Sequence, residues 1–312
     1  MITFAPSNHH EQMAKSTLVG HLAAAGAYTI FGLNIVFCKD IANSEAVTPI
    51  ALFSLRAVGA TALFWLISLF MPKEKMAKGD LWKTAVASFF GLFLTQYTFL
   101  SAITMATPLD ASIISTLSPI FTMLIAALVI KEPITFKKAA GVAISFAGVL
   151  YLILNTVSTR AGATQTSPWG IVLLLANSLS FATYLGVFRP LISRYNVITF
   201  MKWMFLFALL ISLPFSARDL ATTDFAAIPV NVRWEIGFLI FFATFVAYFL
   251  VPVGQKHIRP TLVSMYSYLQ PIIAATIAIA VGMDALTWQK VAATVLVISG
   301  VVIVNRSRSK AA

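Results

Sequence analysis

Residues Ile113–Thr135 read IISTLSPIFTMLIAALVIKEPIT, and residues Tyr268–Thr287 read YLQPIIAATIAIAVGMDALT. Both are apolar runs of helical length. Each carries a proline, Pro119 or Pro271, and each is followed by an acid, Glu132 or Asp284. A proline inside a helix deletes one backbone hydrogen bond and frees the carbonyl four residues earlier, here that of Ser115 or Ser267. A membrane helix tolerates this where a neighbour or a water-filled cavity satisfies the freed group. The repetition of the defect decides how the chain is organised.

Sliding the sequence by 152 positions superimposes the two runs without a gap over roughly 45 residues. Pro108 meets Pro260, Ser112 meets Ser264, Ser115 meets Ser267 and Pro119 meets Pro271. Farther on, Glu132 meets Asp284, Thr135 meets Thr287, Lys138 meets Lys290 and Gly148 meets Gly300. Apolar matches are cheap; paired prolines, serines, acids and glycines are not. An offset of 150 aligns FGLNIVFCK (Phe31–Lys39) with FATYLGVFR (Phe181–Arg189) and pairs Asn34 with Tyr184.

The rest of the chain suits lipid. It is 59% hydrophobic and 11% charged over 312 residues, with mean hydropathy +0.87; a soluble domain is about 45–50% apolar and about 25% charged. With about 20 apolar residues to a span, ten spans are predicted. They are Leu18–Lys39, Pro49–Met71, Trp82–Thr104, Leu109–Ile130, Lys137–Asn155, Pro168–Arg189, Val197–Ser216, Trp234–Gln255, Leu262–Gly282 and Trp288–Asn305. Backbone groups find no water in hydrocarbon, so the spans are helices, and the alternation of a membrane barrel is absent. The first run is too long for a signal-peptide core and reads as an uncleaved span.

The expected fold is therefore all-α integral membrane, with ten transmembrane helices in two five-helix repeats. Residues 1–17 form a cytoplasmic tail, 18–155 the first repeat, 156–167 an external linker, 168–305 the second repeat and 306–312 a basic cytoplasmic tail. Five is odd, so the second repeat enters the bilayer with the opposite polarity, the inverted arrangement many secondary transporters share. Three of the 22 basic residues, Lys39, Arg56 and Lys202, fall within spans; of the others, fifteen lie on one side and four on the other. The positive-inside rule then puts both termini in the cytoplasm. The net charge of +11 is spread over short loops rather than one patch, which argues against a nucleic-acid partner.

The stretch TPLDASIISTLSPIFTMLIAALVIKEPITFKKAAGVAISFAGVLYLI (Thr107–Ile153) resembles the fourth and fifth helices of the EamA family of the drug/metabolite transporter superfamily. Ser112, Pro119, Glu132, Thr135 and Gly148 carry the likeness, which extends over nearly the whole chain. The chain departs from the family pattern at Lys131–Glu132, where Gly–Glu is common, and at Phe31–Gly32, where Trp–Gly is common. The resemblance implies a ten-helix carrier that moves small metabolites, often outward.

Polar residues within spans are the candidates for a substrate cavity. They are Asn34, Arg56, Gln96, Tyr97, Ser112, Ser115, Tyr184, Tyr248, Ser264, Tyr266, Ser267 and Gln270. The bland reading of the serines is helix–helix hydrogen bonding. Arg56, seven residues into its span, is expensive there unless paired, hydrated or snorkelling. Together with Lys39 it is a candidate to attract an anionic or carboxylate-bearing substrate; the alternative is that it snorkels or bonds backbone carbonyls to fix the helices. Pro119 and Pro271 are candidate hinges, or fixed kinks. Glu132 and Asp284 are candidate latches, each needing a basic partner or a neighbouring helix to cap, since an acid at its own helix C-terminus is unfavourable. Tyr28 and Tyr151 read as interface anchors, and Lys202 as a snorkelling side chain. Cys38, the single cysteine, reads as a small buried hydrophobe.

No mid-span carboxylate offers a proton relay, and no metal spacing, phosphate loop or nucleophile elbow is present. No cofactor is expected. The expectation is a carrier, and by resemblance an exporter, that moves a small metabolite such as an amino acid across a bacterial inner membrane by alternating access. A channel is the alternative, with a membrane-embedded enzyme the more remote one. Lipid is the surrounding partner, and the sequence sets no oligomeric state.

Overall fold

The computed structural model describes residues 7–130, 135–158 and 166–306, which are helical and contain no strand. The long segments are α1 (Ser7–Ser44), α2 (Pro49–Ser68), α3 (Lys78–Ile103), α4 (Pro108–Ser115 resuming as Ser118–Ile130), α5 (Phe136–Ser158) and α6 (Pro168–Val187). Then follow α7 (Val197–Thr222), α8 (Val230–His257), α9 (Pro260–Met265 continuing through Tyr266–Tyr268 into Leu269–Ala280) and α10 (Trp288–Arg306). A short helix, Arg189–Arg194, joins α6 to α7. Among the described residues eight helices, α1–α4 and α6–α9, are long and apolar enough to cross a membrane. The apolar part of α5 so described, Ala139–Tyr151, is shorter than a span. The chain is a multi-pass membrane protein.

Helix starts follow a local rule. Thr48, Thr107 and Ser167 each accept a hydrogen bond from a backbone N–H of the first turn, and each precedes a proline. The hydroxyl satisfies an orphan donor, and proline at the first helical position lacks an N–H that would have no partner anyway.

The packing is pseudo-symmetric between the two halves. α1 packs on α8 and α9; in exchanged roles, α6 packs on α3 and α4. α2 meets its counterpart α7, and α5 meets α10. The bundle has a proximal end, where Ser16 bonds His257, and a distal end, where Lys39 donates to the Ile103 carbonyl. α1 begins at the proximal end. α6 begins at the distal end, where Ser167 N donates to the Met105 carbonyl. Gly148 and Gly300, matched by the repeat, let α5 and α10 approach closely: a Cβ on Gly148 would press on Leu296 and Val297, and one on Gly300 would overlap Ser145 and Gly141. Small residues at such crossings are how membrane helices gain contact without a hydrophobic driving force.

Both prolines break their helices as the sequence demands. α4 stops at Ser115, turns through Thr116 and Leu117, and resumes at Ser118. α9 tightens to a 3-10 turn at Tyr266–Tyr268. The sequence gives no warning of two further irregularities: π-helical stretches at Phe89–Leu94 in α3 and Leu239–Val246 in α8.

Candidate functional site: a polar cavity between the repeats

The four irregular helices converge. Ser115 and Ser118 flank the break in α4, Ser267 sits within the 3-10 turn of α9 and Gln270 just beyond it; all four line one cavity of about 80 Å³. α3 adds Thr95 and Gln96 just past its π stretch, and α8 adds Tyr248 just past its own. α1 supplies Tyr28, Phe31, Asn34 and Ile35, α2 supplies Arg56, and α6 supplies Asn177, Ser178 and Phe181. Both repeats therefore contribute wall.

Many of these polar groups lack partners. The hydroxyls of Tyr28, Ser118 and Ser267, both amide atoms of Gln96, and Gln270 Oε1 are buried without a hydrogen bond. The Gln96 amide faces the Tyr248 hydroxyl without reaching hydrogen-bond geometry. An unsatisfied buried polar group costs about 1–3 kcal/mol. All six atoms belong to residues that line the one cavity, so its wall holds hydrogen-bonding capacity that the protein itself leaves unused. The apolar wall is aromatic. Phe31 stands edge-on to Tyr28, Phe181 and Tyr248, with centroids 5.7, 6.3 and 5.4 Å away.

Arg56 is buried, and its Nε donates to Thr244 Oγ1 at 2.7 Å. Thr244 in turn donates to the Leu239 carbonyl at 2.7 Å, a bond reaching five residues back across the π stretch. Arg56 Nη1 points at Cys38 Sγ, 3.8 Å away, and that thiol points at Asn34 Oδ1 at 3.6 Å. Cys38 also lines a second, distal pocket of about 280 Å³, with Leu52 and Ile103. Cys38 thus lines the distal pocket while touching the wall of the central cavity at Asn34 and Arg56.

Of the residues expected at a cavity, Asn34, Arg56, Gln96, Ser115, Tyr248, Ser267 and Gln270 come together. The other five do not line it. Tyr97 is turned one helical step, about 100°, from Gln96; it stacks on Phe93 and is 40% exposed on the outside of the bundle. Tyr266 occupies another edge of the 3-10 turn from Ser267 and bonds His21 Nδ1 at 2.8 Å. Ser112, one turn before the break, donates to the Leu109 carbonyl, and Ser264 is buried outside the lining. Tyr184, the repeat mate of Asn34, is turned to α3 instead: its ring fills the space beside Gly91, where a Cβ would lie 2.6 Å from it.

Tyr28 is the clearest omission. It is no interface anchor but 2% exposed and on the cavity wall. Its spacing to Phe31 and Ile35, three and seven residues, was the available signal. Asn177 was also legible as a polar residue inside a span; its Nδ2 donates to the Thr95 carbonyl at 2.7 Å. Lys39 does not join Arg56. It is committed to the carbonyl of Ile103 at the C-terminus of α3, where a cation is favourable.

Of the two latch acids, Glu132 lies outside the described residues. Asp284 has both expected partners: Lys290 Nζ at 2.6 Å, and the N–H of Leu109 in the first turn of α4 at 3.2 Å. Asp110 joins this distal cluster, 3.7 Å from Lys290 and accepting from Thr166 at 2.6 Å. At the proximal end Asp80 accepts from Arg194 at 2.6 Å, Tyr195 at 2.8 Å and Lys83 at 3.3 Å. Lys202 lies over the Trp65 ring, 5.1 Å from its centroid.

A helical membrane bundle built of two like halves around a cavity with polar groups from both is the framework of a membrane transporter. The chain belongs to the EamA-like transporter family, whose pattern matches residues 18–154 and again 168–306. It is similar to an uncharacterized transporter of Archaeoglobus fulgidus, 26% identical over 286 residues that make up 90% of this chain and 98% of the relative. The uncharacterized transporter YyaM of Bacillus subtilis is 25% identical over 78% of this chain and 79% of its own length. A solved crystal structure shares the fold with a TM-score of 0.62 at 20% identity, covering 93% of this chain and 96% of that one.

Proposed function

We propose that this protein is a secondary carrier that moves a small metabolite across a bacterial inner membrane by alternating access, in the outward direction. In this reading all ten helices cross the bilayer, the repeats are inverted, and both termini are cytoplasmic. The proximal end then faces the cytoplasm and the distal end the outside.

The observation that carries the reading is the cavity itself. It holds unpartnered polar atoms in the middle of a membrane bundle, walled by both repeats and set where two proline-broken helices and two π stretches meet. Carriers bind at such repeat interfaces on discontinuous helices, and rocking of one half against the other exposes the site to either side. The opposite starts of α1 and α6 and the exchanged packing pairs support the inversion. The place of Cys38 between the distal pocket and Arg56 supports an external gate on that side. Pro119 and Pro271 serve as hinges beside it, and the Asp284–Lys290 contact as a latch.

Counter-flow in proteoliposomes tests this. Vesicles holding the purified chain are preloaded in turn with amino acids, organic acids or purines, and uptake of the labelled compound is followed. Saturable uptake accelerated by an internal load is expected for at least one class. Flux that rises linearly with concentration and ignores the internal load would mark a channel and overturn the carrier.

A further inference from the structure

We infer that the cavity selects a small organic anion, with Arg56 as the residue that binds its carboxylate. The inference rests on the carrier reading for its biological sense but on the geometry of the cavity for its chemistry.

Among the described residues Arg56 is the one charged side chain on the cavity wall, and no carboxylate lines that wall. A guanidinium has five N–H donors. One is spent on Thr244 and another points at a thiol, a weak acceptor. No carboxylate stands within ion-pair distance of it among the described residues. The bland explanation, a structural arginine bonded to backbone carbonyls, is not what the contacts show: both recorded partners are side chains. A buried charge without a counter-charge is costly in a membrane and marks a functional site by default. The missing counter-charge is what a ligand carboxylate supplies, and the fork of the guanidinium suits two-point binding of it.

The remaining wall fits the rest of such a molecule. The edges and faces of Phe31, Phe181 and Tyr248 accept an apolar body. The amides of Gln96 and Gln270 can receive a hydroxyl or keto group. No acidic side chain among the described residues lines the wall to await an ammonium group, Glu235 lying behind Cys38, so the geometry favours a net anion over a zwitterion. The aromatic faces offer a cation only the weaker attraction of a ring quadrupole.

The test compares matched solutes on the full chain in detergent. Sodium lactate and sodium benzoate are set against lactamide, benzamide and zwitterionic alanine, with sodium chloride as the ionic-strength control. Melting midpoint and titration calorimetry are the readouts. At least one carboxylate is expected to bind saturably and raise the midpoint, at least tenfold more tightly than its amide or alanine. Arg56→Gln is expected to erase that tenfold preference, and Arg56→Lys to retain part of it. Equal binding of acid and amide, equal binding of alanine, an undiminished preference in Arg56→Gln, or no binding by either carboxylate overturns the inference. If Arg56→Gln does not fold, the wild-type comparison still decides the selectivity for an anion and Arg56→Lys decides the part of Arg56, an undiminished preference there overturning it. Failure here is separable from failure of the carrier: carboxylate binding without saturable counter-flow would sink the carrier and leave the anion site, and counter-flow indifferent to charge would do the reverse.

Discussion

α3 and α8 carry the same defect and use it differently. An offset of 149 sets Phe90 on Leu239, Gly91 on Ile240 and Thr95 on Thr244. In each helix the threonine hydroxyl donates five residues back across a π stretch, Thr95 to the Phe90 carbonyl at 2.6 Å and Thr244 to the Leu239 carbonyl at 2.7 Å. Around this shared backbone the chemistry diverges. In α3, Ser180 adds a second bond to the Phe90 carbonyl at 2.7 Å, and Asn177 takes the Thr95 carbonyl. In α8 the threonine oxygen is turned to Arg56 instead. Shape complementarity is also exchanged: Gly91 of α3 receives the Tyr184 ring, whereas Ile240 of α8 inserts against Gly59 of α2. Duplication supplied two equal frames, one serving as scaffold for the wall and the other as mount for its charge. π stretches frequently occur at functional sites; here the pair shows how one such feature can serve two ends.

The asymmetry extends to the ends of the bundle, where the largest effect is expected. Lys290 stands between Asp284 and Asp110, whose side chains are each 3% exposed. Lys290→Met leaves two buried carboxylates without their cation, and loss of one partner in such a group costs about 3–5 kcal/mol. A fall of that size in unfolding free energy, read from denaturant melts in detergent micelles, is expected; no loss would show that the cluster is already neutral. Thr244→Val comes next. It removes a bond to a charged group, worth about 1.5–3 kcal/mol, whereas Thr95→Val removes a neutral bond worth about 0.5–1.5 kcal/mol and leaves Ser180 in place. The ranking Thr244 above Thr95 in melts is the prediction, and equal costs would dissolve the distinction between scaffold and mount. The glycines then test the packing. Gly59→Ala and Gly91→Ala should each cost about 1–3 kcal/mol by overpacking. Ile240→Ala should restore stability to the first and not the second, because Tyr184, not Ile240, opposes Gly91.

The sequence was most legible where a physical rule left a one-dimensional trace. Paired prolines marked the breaks in α4 and α9, and polar residues inside apolar runs marked Asn34, Arg56, Gln96, Ser115, Tyr248, Ser267 and Gln270. Helical phase was lost at the irregular turns. A π stretch inserts a residue and a 3-10 turn advances 120° instead of 100° per residue, so Tyr97 and Tyr266 could not be phased from their neighbours. Neither π stretch has a composition of its own; Phe89–Leu94 reads FFGLFL, like any span. Tyr28 shows a different limit. A tyrosine in a membrane chain has an interfacial reading that outweighs a buried one until the three-residue step to Phe31 is given weight. Asp110, an acid at a helix start, leaves no distinguishing trace in the sequence, and only the fold brings Lys290 to it.

The smallest effect is expected at the proximal cluster, and it bears most directly on how the two ends differ. Asp80 resembles Asp284 in being nearly covered, with a side-chain exposure of 6%, yet its cations Lys83 and Arg194 are 62 and 58% exposed. Exposed partners gain little because solvent screens them. Asp80 also keeps Arg194 and the Tyr195 hydroxyl when Lys83 is removed. Lys83→Met should therefore leave the melting midpoint indistinguishable from wild type at any salt concentration, while Lys290→Met lowers it. A comparable drop for Lys83 would mean that the proximal end is as desolvated as the distal one. The two ends would then be equivalent seals rather than a tight distal latch and a loose proximal one.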